Sequence, residues 1–496
     1  MTDLLPHEVD VAIVGAGSAG CVLAAKLSAA EGRSVALLES GPGYSSVAGC
    51  PPELLDPGRL PVGPGAPFVR RYRGELRPSQ VTEIVRGRAL GGSGAVNGCY
   101  FIRGTSADFE GWPQELWSFS QVLPYFRALE NDQDFGGEFH GSSGPIPVRR
   151  DSGYRLTPLS SEFYTACLDA GFVDEPDKNA PAATAGVGPV PSNIGDGRRI
   201  STAIGYLLPV LHRPNLAVNS NTTVTRVLFD ADRAIGIDAV ANGIARRILA
   251  GRIVLCAGAI ETAALLMRSG IGDPEQLRSV GVPVVTALPG VGAGFFDHPE
   301  VGIPYRPTRV GAVDVPALQV VLNTDDVEFR PYTAPFAELV PGSGDVVQRL
   351  GVVLMRPRSR GSVRLQDSDP RTDVSVDYRY LEGESDRAAM HDAVLTGRRL
   401  LDDLIRRGVV DAVSPDYSDA RFLEHLGTSQ HLGGTCRMGR SAADGAVVDA
   451  RCQVFGVTGL SVVDASIIPS PLRRGPHATI VMMAERAAEL IVQEQF

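Results

Sequence analysis

The segment Val9–Gly41, VDVAIVGAGSAGCVLAAKLSAAEGRSVALLESG, decides the fold. Its apolar run Val9–Val14 has the β-branched composition of a strand buried in a parallel sheet. Gly15, Gly17 and Gly20 follow as G-x-G-x-x-G. Ser18 to about Ala30 has helical composition, and Gly32 is a stop signal. Ser34–Leu38 reads as a second strand, ending at Glu39. The spacing has a physical use. The first glycine turns the chain out of the strand, the second admits a pyrophosphate against the backbone, and the third lets helix and strand pack closely. The helix N-terminus, at Ser18 and Ala19, then offers its free N–H groups to the phosphates. Glu39, about 20 residues beyond the last glycine, suits an adenosine ribose hydroxyl. An acid there disfavours NADP and leaves NAD and FAD both open.

At 496 residues the chain is long enough for two large units. Hydrophobic residues at 44% and charged residues at 21% describe an ordinary globular chain, neither disordered nor a membrane bundle. A net charge of −10 argues against a nucleic-acid partner. Arg70, Arg71 and Arg73 read as a solvated basic face. The seven cysteines are scattered and lack a C-x-x-C pair, which fits a reducing compartment without a disulfide framework or a metal site. The opening MTDLLPHEVD has no basic n-region, and no run of about 18 apolar residues follows, so no spanning helix is expected. The expected location is the cytoplasm, with attachment to a membrane partner left open.

Residues 41–69 are dense in glycine and proline, as in a functional cover. Val85–Gly104, VRGRALGGSGAVNGCYFIRG, places small residues from Gly91 to Ala95, where a backbone can lie against a flat ligand. With Asp108 and Trp112, this stretch resembles the first signature of the glucose–methanol–choline (GMC) flavoprotein family. The resemblance implies FAD, with contacts at Gly92, Ser93 and Asn97. Some members attach flavin through a histidine where Val96 stands, so non-covalent FAD is implied here. Asn215–Ala239 alternates like strands with a turn at Asp230–Arg233. It is similar to the family segment that closes over the adenine, which points to Val224. Gly258–Gly272 resembles the second signature, with Ala263 where proline or serine is usual. Phe296–Pro299 resembles the family's D-H-P step between domains, which implies a structural role for His298.

Gly351–Met355, Gly361–Gln366 and Val374–Tyr380 alternate as strands, and their spacing suggests an antiparallel sheet. Glu384–Arg407 reads as a helix or helix pair. The expected fold is an α/β FAD-binding Rossmann-like domain plus an α+β substrate domain with an antiparallel sheet, the GMC fold. The FAD-binding domain would draw on residues 1–150, 200–299 and 421–496, and the substrate domain on 151–199 and 300–420.

The last 66 residues hold two histidines of interest. His431 precedes a glycine-rich turn in SQHLGGTCRMG. His477 opens a helix whose Ile480, Val481, Ala484, Ala487 and Leu490 form an apolar stripe. Either alone reads as an ordinary core or surface histidine. Both occupy family positions, and the resemblance implies a catalytic pair. Alcohol oxidation needs a hydroxyl proton to leave while a hydride moves to flavin N5. A neutral imidazole, with a pKa of about 6.5, can take that proton. His431 is assigned as the principal base and His477 as the group that holds the alkoxide oxygen. The helix after His477 would aim N–H dipoles at developing negative charge. Asp464 and Ala465, in VVDASIIPS, resemble family residues beside the flavin. The implied activity is that of an FAD-dependent alcohol dehydrogenase or oxidase. The VRRYR and GAVNGCYFIRG segments resemble mycofactocin-associated members, which would reoxidise a peptide-derived redox carrier toward a respiratory acceptor. Two alternatives stand beside this reading, an oxygen-using small-alcohol oxidase and a hydroxynitrile lyase on the same fold. The substrate and the electron acceptor (oxygen, quinone or respiratory chain) stay open.

Overall fold

The apolar run after Glu8 forms the centre of a sheet. In the computed structural model, which describes residues 6–181, 185–308, 315–413 and 421–494, the strand Glu8–Val14 is buried from Val11 to Val14. Val35–Leu38 pairs parallel on one side of it and Ile244–Leu255 on the other. Leu216–Asn219 extends the sheet beyond Val35–Leu38 in parallel. The hairpin Thr222–Asp230/Arg233–Ala241 extends it antiparallel from Ile244–Leu255. Leu460–Val462 adds a parallel strand beside Ile253–Leu255 and so returns the C-terminal region to the first strand's neighbourhood.

The first helix, Ser18–Leu27, ends earlier than its composition predicts. Distant side chains take the carbonyls that would continue it. Arg213 Nη1 donates to the Ala25 carbonyl at 2.6 Å. Asn215 Nδ2 donates to the carbonyls of Ser28, Ala30 and Arg33 at 3.0, 2.9 and 2.8 Å. A helix end left without partners would cost free energy, and these two residues replace the missing turn.

The C-terminal helix His477–Gln493 packs against Ser18–Leu27 on one side and Phe119–Leu129 on another. Val481, Ala484, Ala487 and Leu490 are buried as the stripe requires, and Ile480 is half-buried at the cavity. Thr479, Met482 and Met483 are buried too, because two helices rather than one cover this element. Its docking onto the glycine-rich unit carries His477 to the start of the first helix.

A second sheet is antiparallel throughout. It runs Val410–Val413, Pro299–Pro307, Gln348–Leu354, Val327–Pro331, Val320–Asn323 and Gly186–Pro189, with Leu426–Thr428 also paired to the start of Pro299–Pro307. Of the three strands expected to lie together, only the one at Gly351–Met355 joins this sheet. The other two, observed as Gly361–Arg364 and Ser375–Asp377, belong to a separate five-stranded sheet with Ala293–Phe295 and the hairpin Val69–Arg77/Gln80–Gly87. One pairing there, Ser375–Asp377 with Val69–Arg77, is parallel. Alternation marks a strand but does not name its partner, and partner choice across about 300 residues is a tertiary matter. This sheet also corrects the basic face. Arg70 Nη1 pairs with Glu261 at 3.0 Å, and Arg71 Nη1 pairs with Glu83 at 2.8 Å, while Arg71 Nη2 also caps the Val62 and Gly63 carbonyls. Only Arg73 of the three is exposed. Glu384–Arg406 is one continuous helix.

All seven cysteines are buried free thiols. Among the described residues, no helix is long and apolar enough to cross a membrane.

Candidate active site

A cavity of about 980 Å³ runs from the first glycine turn to the two C-terminal histidines. Its size is at the upper end of the ~300–1,000 Å³ usual for small-molecule sites. Gly15, Gly17, Ser18, Ala19, Glu39, Gly92, Ser93, Asn97, Val224, His431, Asp464, Ala465 and His477 all line it. Gly20, expected among the cofactor contacts, does not line it. A Cβ at Gly20 would sit 1.9 Å from the Gly15 carbonyl oxygen, so close packing of the helix on the strand requires a glycine here.

At the nucleotide end the backbone does most of the shaping. Gly15 has φ +98°, a conformation in which a side chain is strained. Gly17 approaches Gly92 so closely that a Cβ on Gly92 would lie 2.6 Å from the Gly17 Cα. The two glycine-rich loops therefore touch beside the N-terminus of the Ser18–Leu27 helix. Glu39 Oε2 accepts from the Ala16 amide at 2.9 Å and Oε1 from the Gly41 amide at 2.8 Å. Burial pushes its carboxyl above the usual range, and those amides oppose the shift. Val224 lines the same end.

Asp464 joins segments far apart in the chain. Its Oδ2 accepts from Thr262 Oγ1 at 2.6 Å and from the Gly258 amide at 2.9 Å, and its Oδ1 accepts from the Ser466 amide at 2.8 Å. It thus ties the second glycine-containing helix start to the loop after Leu460–Val462. Burial raises this carboxyl as well.

At the other end, each histidine has one ring nitrogen committed to the protein. His477 Nδ1 lies 3.1 Å from Asn97 Nδ2. The orientation of that amide is set by its other end, where Asn97 Oδ1 accepts from the Cys99 amide at 3.0 Å. Nδ2 therefore donates, Nδ1 of His477 accepts, and the neutral ring carries its proton on Nε2. That Nε2 is buried and has no protein partner. Phe101 packs edge-on to the ring at 5.2 Å. Burial lowers the His477 pKa to about 4.

His431 is held by its backbone. Its amide donates to Asp297 Oδ1 at 2.7 Å, and the His298 amide donates to the same oxygen at 2.7 Å. Burial lifts Asp297 to about 6. The Nδ1 atoms of His298 and His431 are 2.9 Å apart. Burial, then His298, Arg330 and Arg86, hold His431 well below the ordinary histidine value. Both cavity histidines are therefore neutral at neutral pH.

Motif reading passed over several lining groups. Gln430 has φ +63°, and its Oε1 accepts from the Val85 amide at 3.1 Å and from Arg86 Nη1 at 2.6 Å. Glu300 accepts from Tyr332 Oη and Ser429 Oγ, each at 2.8 Å, and pairs with Arg330 at 3.1 Å. Tyr100 also lines the cavity and donates to Glu328, whose other oxygen is bound by Arg330. The available signal was adjacency, since Gln430 precedes His431 and Glu300 follows the D-H-P step.

Glu130, Asp132 and His140 also come close enough together to offer three metal ligands. Arg103 already binds Glu130, and Arg150 binds Asp132 at 2.9 Å. The acids, led by Asp132, raise His140 to about 10 despite its burial. The group is an ion network in which the imidazolium and two guanidiniums fill the cation's place.

The residues present fit FAD. The cavity runs from the first glycine turn past the second glycine-rich loop to the two histidines, with backbone and small residues at one end and polar side chains at the other. Comparison with known proteins agrees. Residues 9–300 and 357–484 match the N- and C-terminal family models described as GMC oxidoreductase. An uncharacterized GMC-type oxidoreductase in the thcA 5′ region of Rhodococcus erythropolis is 48% identical over 98% of this chain and 99% of that protein. The oxygen-dependent choline dehydrogenase of Ectopseudomonas mendocina is 34% identical over 99% of this chain and 95% of that protein. The crystal structure of pyridoxine 4-oxidase from Mesorbium loti superposes with a TM-score of 0.90 at 28% identity, covering 98% of this chain and all of that one.

Proposed function

The chain belongs to the GMC oxidoreductase family, FAD-dependent enzymes that act on alcohols, and from that premise we propose how its two histidines divide the work. His431 takes the hydroxyl proton, and His477 holds the same oxygen by a hydrogen bond. Bound FAD supplies the two-electron acceptor for the hydride that leaves the α-carbon as the carbonyl product forms. The observation that carries this reading is that His431 and His477 line one cavity together with Asn97 and the glycine-rich loops. An alcohol hydroxyl is both donor and acceptor, so it matches the pair. Neutral imidazoles suit the first step, because a protonated His431 could not accept.

Gly15, Gly17 and Ser18 would hold the pyrophosphate, Glu39 the ribose and Val224 the adenine. Gly92, Ser93, Asn97, Asp464 and Ala465 would hold the ring end. Val96 lines the cavity and offers no nucleophile for attachment, which supports non-covalent FAD.

The lining does not select between an uncharged and a cationic alcohol: Arg330 is shared between Glu300 and Glu328, and Glu424 and Asp345 also line the cavity. Reduced mycofactocin is the carrier substrate that the sequence resemblance suggests. The test is anaerobic mixing of the flavoprotein with simple alcohols, choline and reduced mycofactocin, followed by reoxidation with oxygen or a quinone. Rapid flavin bleaching by one of these alcohols or by reduced mycofactocin supports the reading, and failure of all of them to bleach the flavin overturns it. The reoxidation arm identifies the acceptor.

A further inference from the structure

His298 was expected to be a turn residue beside proline. It is 1% exposed, and its ring meets that of His431 edge to face at a centroid distance of 5.2 Å. We propose that His298 is a positioning residue: its Nδ1 accepts the Nδ1–H of His431 and so holds His431 in the tautomer whose Nε2 lone pair faces the cavity. The inference rests on His431 being the base.

Two nitrogens 2.9 Å apart need one proton between them. Two arrangements of neutral rings are available. In the first, His431 donates from Nδ1 and His298 keeps its own proton on Nε2. In the second, His298 donates from Nδ1, its Nε2 carries a lone pair, and the proton of His431 moves to Nε2. The role of His431 decides between them. As the base it needs a free Nε2 lone pair, so its one proton sits on Nδ1, and the Nδ1 of His298, 2.9 Å away, is the atom placed to accept it. The first arrangement is therefore the working one.

The backbone makes the contact rigid. The amides of His298 and His431 both donate to Asp297 Oδ1, and Thr428 Oγ1 donates to Asp297 Oδ2 at 3.0 Å. The Ser429 amide donates to the His298 carbonyl at 3.0 Å. Neither ring can swing without breaking a buried hydrogen bond. When Nε2 of His431 gains the alcohol's proton, its Nδ1–H is already seated on a neutral acceptor. Arg330 and Arg86 oppose the positive charge that then forms, and Glu328 offsets Arg330 from the His298 side.

The experiment reads the tautomer directly. Holoenzyme labelled with ¹⁵N-histidine is examined by long-range ¹H–¹⁵N correlation, with His431→Gln used to assign the signals. The wild-type protein should show His431 protonated on Nδ1 and unprotonated on Nε2. His298→Leu should mix the two tautomers and slow anaerobic flavin reduction on the order of 10- to 100-fold, as losing an orienting ring partner does elsewhere, with KM changing less. His298→Gln, whose Oε1 can accept, should restore most of the rate and the Nδ1–H signal. A wild-type His431 protonated on Nε2 overturns the proposal. So does an unchanged tautomer and rate in His298→Leu, or equal slowing in both variants with the wild-type tautomer retained. If the leucine variant does not fold, the wild-type spectrum and the glutamine variant decide. Failure of the base assignment would appear separately, as a His431→Ala enzyme that reduces its flavin at the wild-type rate.

Discussion

At the Gly15–Glu39 end of the cavity, most of the lining comes from one continuous segment, joined by the Gly92 loop and Val224, and is largely backbone. At the His431–His477 end they are side chains, gathered from residues 97–100, 297–300, 428–431 and 475–477. The first end works by shape. Its glycines remove Cβ atoms where two chains nearly touch, and no protonation state is involved. The second end works by the position of single protons. Asn97 decides which nitrogen of His477 carries one, and His298 stands in the same relation to His431. The comparison teaches that binding the cofactor and choosing the chemistry are separable in this chain.

The largest expected effect breaks the reactive end alone. His431→Ala should slow anaerobic flavin reduction by an alcohol by roughly 10²- to 10⁴-fold while FAD stays bound, measured by stopped-flow absorbance. Loss of FAD instead would mean that the two ends are not separable. Next, Asn97→Leu frees His477 to place its proton on either nitrogen. Reduction should slow on the order of 10- to 100-fold, and a rate within twofold of wild type would remove the tautomer argument for His477.

Gly20→Ala tests the nucleotide end. The added carbon meets the Gly15 carbonyl, so stability should fall by about 1–3 kcal/mol in denaturant unfolding. FAD should be held more weakly, yet enzyme saturated with FAD should reduce at close to the wild-type rate. A large drop in that rate would show that the strain travels the length of the cavity.

The smallest effect is on pH. Both cavity histidines have lowered pKa values, that of His477 to about 4, and the working form of His431 is neutral. Activity should therefore fall only as the pH drops below 6.5, with less than about a threefold change in kcat/KM between pH 7 and 8. An acid limb centred at or above 6.5 would show that the cavity does not keep His431 in its neutral form.

Much of the fold was legible because its signals are local. The Val9–Val14 run, the three glycines and the stripe after His477 act through neighbours in sequence, and each element formed where its pattern lies. The helix that ended at Leu27 shows the boundary of that reading, since Arg213 and Asn215, just before the strand Leu216–Asn219, set its end from about 185 residues away. The strands at Gly361–Arg364 and Ser375–Asp377 show it again. Their alternation was readable, but their partner, Val69–Arg77, lies about 300 residues away.

The sequence by itself determined the FAD-binding fold and the family, and singled out the two histidines that share the cavity, because glycine spacing and motif order are properties of short segments. The tertiary structure alone decided which nitrogen of each histidine the protein engages. A tautomer depends on the atom a few ångströms away, and those atoms belong to Asn97 and His298, some 380 and 133 residues distant in the chain.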